Sequence, residues 1–294
     1  MTMKIGSLTS VYAAGTNYSF QYTPKIIGTS VNTKKSMIDL PFMSISSYLD
    51  FSSVTPLNIS LVGTVYGTDK LVYLNKLSYW ILSKGMKKLY LDSSTFMFCI
   101  GQSVKTTKDG KKFNFRDYVA TASCPIPFIY GVTKQSYVVT DLSTTATNLD
   151  DSTANSTGAF ANTGYAPAHI YHIQFAVQAG SANMTGFSIG DKALDTTVKG
   201  DNIITWSDTT GIAAGETLHA YLLYEYGSKG NKWYFFKDAV DGTVVGNRTL
   251  SGDNREDGPR IDGLQTDQDF SIKLEGGDNV DVTFEWYNSN YAGF

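Results

Sequence analysis

Few side chains in this 294-residue sequence are placed to do chemistry, and each set carries a specific test. His169 and His172 are three positions apart, and on a strand that spacing points them to opposite faces. They cannot easily clamp one metal, so with His219 they read as ordinary surface or interface histidines. Gly186-Phe187-Ser188-Ile189-Gly190 matches the Gly-x-Ser-x-Gly pattern, which presents a nucleophile where a strand turns sharply into a helix. The residues that follow (Thr196, Thr197, Val198, Gly200) make a poor helix, and Phe187 and Ile189 alternate with Ser188 as a plain strand would. Asp253-Asn254-Arg255-Glu256-Asp257-Gly258 resembles a calcium loop, but Arg255 stands where an oxygen ligand is needed, so a charged turn is expected. Cys99 and Cys124, the two cysteines, fit neither a disulfide framework nor a metal knuckle. Trp206, Trp233, Tyr234 and Tyr287 are the candidate contacts for a sugar or a protein partner, through stacking; core packing is the competing use of the same rings. No catalytic, cofactor-binding or metal-binding residue is assigned.

The elements that would position these residues are mostly strands. Asn58 to Tyr66 reads as a strand ending at Gly67, and Thr68 and Asp69 can cap a helix of about residues 69–84. Leu71, Leu74, Leu77, Trp80 and Ile81 recur at helical spacing, widened by Val72 and Tyr73, and are expected to pack on a sheet. Gly85 suits the left-handed position past the helix end, and Lys84, Lys87 and Lys88 sit near its negative pole. Lys88 to Leu91 and Thr95 to Ile100 follow as a hairpin around Asp92-Ser93-Ser94. Tyr18 to Tyr22 and Met37 to Phe42 are further strand expectations, and the second strand of the hairpin reads as continuing to about Val104. Later, Tyr171, Ile173, Phe175 and Val177 share one strand face, while His172 and Gln174 point the other way. Leu218, Ala220, Leu222, Tyr224 and Tyr226 do so around His219. Phe270, Ile272 and Leu274 lead through Glu275-Gly276-Gly277-Asp278-Asn279 to Val280, Val282, Phe284 and Trp286, read as a partner strand.

Hydrophobic residues make up 42% and charged residues 17%, so a packed core is expected and disorder is not. The net charge of −3 conceals an asymmetry: residues 1–130 carry 14 Lys+Arg against 6 Asp+Glu, the remainder 10 against 21. The lysines are scattered singly or in pairs without an arginine-rich stripe, so specific nucleic-acid binding is not expected. No run approaches the roughly 20 apolar residues of a membrane helix, and the start lacks a signal-peptide core. Synthesis in a reducing cytoplasm is the expectation. The fold class read from these patterns is mainly β: an N-terminal sandwich or barrel-like domain with one helix, over residues 1–135, then a C-terminal β-sandwich over 165–294. Between them, 136–164 reads as a linker or long loop. Its Thr/Ser/Asn/Asp-rich part from Thr140 to Gly164 has little to bury, and Cys124-Pro125-Ile126-Pro127-Phe128 marks the boundary.

Three segments carry a family resemblance: Leu61-Val62-Gly63-Thr64-Val65-Tyr66-Gly67, Leu77-Ser78-Tyr79-Trp80-Ile81 and Lys88-Leu89-Tyr90-Leu91-Asp92. They resemble the N-terminal domain of phage distal tail proteins, which form the ring at the tip of long flexible tails. Asn162-Thr163-Gly164-Tyr165-Ala166-Pro167, Asp201-Asn202-Ile203-Ile204-Thr205 and Leu274-Glu275-Gly276-Gly277-Asp278-Asn279-Val280 are similar to that family's galectin-like C-terminal domain, in the same order. The resemblance implies a non-enzymatic hub at the virion tail tip, assembled in the host cytoplasm as a homo-hexamer. Its implied partners are the tail tube protein, a tail-tip hub or tail-associated lysin protein, and receptor-binding or baseplate proteins, with no cofactor and no membrane. The galectin sugar-binding cluster is absent, so the fold by itself does not imply lectin activity. The alternative is a carbohydrate-binding β-sandwich adhesin; a hydrolase using Ser188 and a tail-tube subunit stand further back.

Overall fold

A computed structural model describes residues 4–7, 18–19, 24–28, 33–38, 47–54, 57–83, 87–106, 114–124, 128–223, 232–237, 247–251 and 258–291. The fold is mainly β, with antiparallel sheets and one helix among the described residues. Contacts divide the chain into two compact units, one mainly of residues 16–129 and one mainly of 130–290.

The first unit holds β1 (Lys4–Ser7), β2 (Tyr18–Ser19), β3 (Lys25–Gly28), the hairpin of β4 (Thr33–Ile38) and β5 (Ser47–Val54), and β6 (Leu57–Tyr66). Then come α1 (Lys70–Leu82), β7 (Lys87–Tyr90), β8 (Thr95–Thr106) and β9 (Phe115–Cys124). β6 pairs with β9, β9 with β8, and β8 with β7, all antiparallel. One face of β6 and β9 is apolar, with Leu57, Ile59, Leu61, Ala120 and Ala122 all buried. Leu74, Leu77, Trp80 and Ile81 of α1 are buried with it. Gly101 of β8 lets the helix close in: a Cβ there would lie 1.8 Å from the Ile81 carbonyl oxygen. The turn before β8 is set by the Asp92 carboxylate, which accepts from the Ser94 and Thr95 amides at 2.7 Å. Those bonds, the Ser94 amide first, hold the carboxyl below its ordinary range.

Three local expectations change. Asp69 occupies the N-cap, but neither it nor Thr68 makes a side-chain cap bond; the first turn closes through Tyr73 N–H to the Asp69 carbonyl at 3.1 Å. Leu71 does not join the buried stripe and is 52% exposed, because it lies about 100° round the helix from the centre of that stripe. Val72, 51% exposed, shares that outer side with Tyr79 and Leu82. At the other end Ser83 is extended, and Lys87 meets the helix pole through Nζ to the Ser83 carbonyl at 2.5 Å. Gly85, Lys84 and Pro125 to Pro127 lie outside the described residues, as do 20–22 and 39–42 of the early strand expectations.

The second unit holds β10 (Phe128–Leu142), β11 (Thr147–Leu149), β12 (Ser156–Thr157), β13 (Ala168–His169), β14 (His172–Val177), β15 (Met184–Lys192), β16 (Lys199–Ile212) and β17 (Thr217–Leu223). It continues with β18 (Lys232–Lys237), β19 (Asn247–Ser251), β20 (Arg260–Ile261), β21 (Phe270–Gly276) and β22 (Val280–Tyr291). One sheet runs β18-β17-β14-β22-β10, and the other β11-β21-β15-β16-β19. Their apolar faces meet: Phe175 of β14 stacks on Phe187 of β15 at 4.3 Å, and Phe270 of β21 meets Phe284 of β22. β21 and β22 therefore do not form the hairpin expected from sequence. The Gly276-Gly277 link, with φ of +63° and +68°, carries the chain from one sheet to the other, so each strand buries its face against the opposite layer.

The 136–164 stretch, expected as a linker or long loop, carries buried apolar side chains. Leu142, Leu149 and Phe160 are buried in this unit, and Phe160 stacks on both Tyr137, at 4.3 Å, and Phe270, at 4.1 Å. Trp286 Nε1 donates to the Ala161 carbonyl and Tyr137 OH to the Asp150 carbonyl, so its polar loops are tied to the strands. A few apolar anchors outweigh a polar composition. Phe160→Ala should cost about 3–5 kcal/mol in chemical denaturation, against under about 0.5 kcal/mol for a linker residue. Gly101→Ala should lower stability by about 1–3 kcal/mol, because helix backbone rather than a flexible side chain must move.

Candidate functional site

Strand alternation on β14 sends Ile173, Phe175 and Val177 into the core and turns His172 and Gln174 to the other face. Register then sets His172 opposite Tyr221 of β17 on one side and Glu285 of β22 on the other. The result is a polar and aromatic cluster that draws on four strands, β10, β14, β17 and β22. His172 Nδ1 lies 2.8 Å from Glu285 Oε2, and His172 Nε2 lies 3.1 Å from His219 Nδ1. The His172 ring stacks on Tyr221 at 4.2 Å with 6° between planes. Tyr171 OH donates to Glu285 Oε2 at 3.2 Å and stacks on Tyr287 at 4.9 Å, while Lys134 Nζ pairs with Glu285 Oε1.

The electrostatics follow from the carboxylate. Burial pushes Glu285 upward, but hydrogen bonds and positive charge from His172 and Lys134 outweigh it and hold the carboxyl at about 2. Burial raises the Tyr221 hydroxyl to about 12, helped by the Glu285 charge, and raises Tyr171 further still, so both phenols stay neutral donors. An ionised Glu285 only accepts, so His172 Nδ1 carries a proton towards it. One proton can then be shared between His172 Nε2 and His219 Nδ1. A proton on each would set N–H against N–H and break that bond. The three groups do not form a metal centre: Glu285 and His219 lie on opposite sides of the His172 ring, and their donor atoms do not converge. Among the described residues no group of three His, Cys, Asp or Glu could hold a metal ion.

The residues singled out from sequence lie elsewhere or inside. Trp206 and Trp233 are 0% and 1% exposed; Trp206 stacks on Phe187, and both belong to the core. Tyr287 is buried against Tyr171, and the Tyr234 side chain is outside the described residues. Strand alternation turns the two tryptophans inward. Ser188 sits mid-strand on β15 between Thr205 and Lys273, with Oγ 3.3 Å from Thr205 Oγ1; no strand-to-helix elbow is present there. His169 is buried on the β13–β20 pairing, a ladder separate from that of His172. Residues 253–257 of the calcium-like segment lie outside the described residues. Glu285, Tyr171, Tyr221 and Lys134 carried no sequence signal beyond strand alternation, since their meeting depends on which strands pair.

Because its carboxyl is depressed when folded, Glu285 contributes stability above the ordinary value of 4.5, and that contribution is lost as pH falls towards about 2. Glu285→Gln should therefore lower the urea midpoint at pH 7, and the two proteins' curves should converge between pH 4.5 and 2. Parallel curves across that window would show that the carboxylate charge does not matter.

No family model matches the chain, and no curated protein matches it. Among solved structures, it is similar to the SPP1 Dit protein, described as a paradigm of hub adsorption apparatus in Gram-positive infecting phages. That match has 13% identity, 97% of each chain covered and a TM-score of 0.43. It is also similar to a chain of the phage P2 baseplate in its activated conformation with Ca, at 9% identity, 97% of each chain and a TM-score of 0.47. For that baseplate with Sr the values are 8%, 97% of each chain and 0.40.

Proposed function

We propose that this chain is a non-enzymatic structural protein of a phage tail tip. In this reading it is a distal tail hub whose N-terminal units close in sixes into a ring continuing the tail tube. Its galectin-like C-terminal sandwiches project outward and carry receptor-binding or baseplate proteins. The observation that carries the reading is the succession of family-like segments on consecutive elements: the glycine-spaced strand β6, the Leu77…Trp80-Ile81 face of α1 and the Lys-Leu-Tyr strand β7, followed by a separate β unit.

A closed ring needs one patch of each copy to meet a different patch on the next. The first unit offers apolar surface for such a contact on the outer side of α1, where Tyr79 is 65% and Leu82 57% exposed. The opposite charge balance of the two halves of the sequence can help to set its register. The adhesin alternative loses its simplest support, since three of the four aromatic residues that would stack sugars (Trp206, Trp233 and Tyr287) are buried.

Light scattering and negative-stain images of the purified chain should show a six-copy closed ring. Tyr79→Asp with Leu82→Asp should leave a folded protein that no longer closes, and reversing several N-terminal lysines should change the salt dependence of assembly. A chain that stays monomeric and also fails to join tail-tube protein would overturn the hub reading. Binding on a glycan array by such a monomer would favour the adhesin.

A further inference from the structure

Cys99 lies within β8 and Cys124 at the end of β9, and both are buried, at 1% and 0% exposure. The β8–β9 register runs Gly101↔Ala122 and Ile100↔Ser123, and one further step sets Cys99 opposite Cys124. Directly opposed residues of antiparallel strands share a face, with Cβ atoms about 4.5–5.5 Å apart. Their face is the one beneath α1. Gly101, two residues from Cys99, is where the helix backbone comes closest, and Lys87, opposite Cys99 on β7, reaches the Ser83 carbonyl at the helix end. Across the sheet the row reads Lys87, Cys99, Cys124 and then Leu57 of β6.

We propose that Cys99 and Cys124 form an oxidation site: a cross-strand disulfide that closes when the protein meets a peroxide or a small-molecule disulfide, stapling β8 to β9 under the end of α1. With hydrogen peroxide, two S–H bonds and the O–O bond break, and one S–S bond and two water molecules form; sulfur is oxidised and the peroxide oxygens are reduced. With oxidised glutathione, the disulfide passes to the protein through a mixed disulfide. Two glutathione thiols leave with the protons of the two cysteines.

The thiols are protected while the sheet is closed. Burial pushes Cys99 up to about 12, against the opposing charge of Lys87, and pushes Cys124 well up too. The thiolate is the nucleophile, so closure proceeds through local opening of the helix end rather than through direct attack on the packed state. Once formed, the bond constrains the unfolded chain, so the oxidised protein resists unfolding more than the reduced one.

The test uses the full chain in sub-denaturing urea with oxidised glutathione or hydrogen peroxide. Thiols counted after full denaturation should fall from two to none, and a peptide map without reductant should contain a Cys99–Cys124 linked peptide. The melting transition of the oxidised protein should rise, and dithiothreitol should reverse the change. Cys124→Ala should instead leave one thiol that takes up glutathione, with no rise in melting. Separate glutathione adducts on both cysteines would overturn the proposal. So would a linked peptide that forms only above the unfolding midpoint, or an oxidised protein that melts lower.

Discussion

The first unit depends on how near α1 can come to the sheet beneath it. A helix of 13 residues has little stability apart from its packing, so its persistence rests on burying Leu74, Leu77, Trp80 and Ile81. That burial requires a floor of small side chains, and the floor is Gly101 with Ala120 and Ala122 on adjacent strands. The pairing of β8 with β9 and of β9 with β6 brings these small residues together on one face. The hairpin turn at Asp92 and the Lys87 contact at the helix end then fix how the chain enters and leaves this contact.

In the second unit the corresponding constraint is two-sided. Each strand of the sandwich presents one apolar face, and aromatic stacking across the layers, such as Phe175 on Phe187, leaves the other face to polar groups. On β14 and its neighbours those groups are drawn into one network around Glu285, whose ionised carboxyl organises His172, Lys134 and Tyr171. The network has the character of a structural clasp. Its donor atoms do not converge on a metal, and Ser188 is held within a ladder.

The hub proposed for this chain would need surfaces that neighbouring copies can cover, and units that keep their shape. The exposed side of α1 and the contrasting charge of the two sequence halves supply the first requirement. The aromatic interior of the sandwich supplies the second.

The sequence by itself determined the local elements. The α1 stripe at Leu74, Leu77 and Ile81, the Asp92 turn, and the alternation of Ile173, Phe175 and Val177 were all legible, because each depends on residues a few positions apart. What it left undetermined is everything that depends on partners distant in the chain. Alternation could not say whether β21 and β22 pair or face each other across the core, and composition hid Phe160 inside a polar stretch. Likewise, His172 drew attention through its neighbour His169, whereas its actual partners, His219 and Glu285, come from two other strands. The same reason decided between the two uses open to Trp206, stacking contact or core packing, in favour of the core, and brought Cys99 opposite Cys124. A side chain's face is set by periodicity, but what it meets there is set by strand order and register, which only the tertiary structure decides.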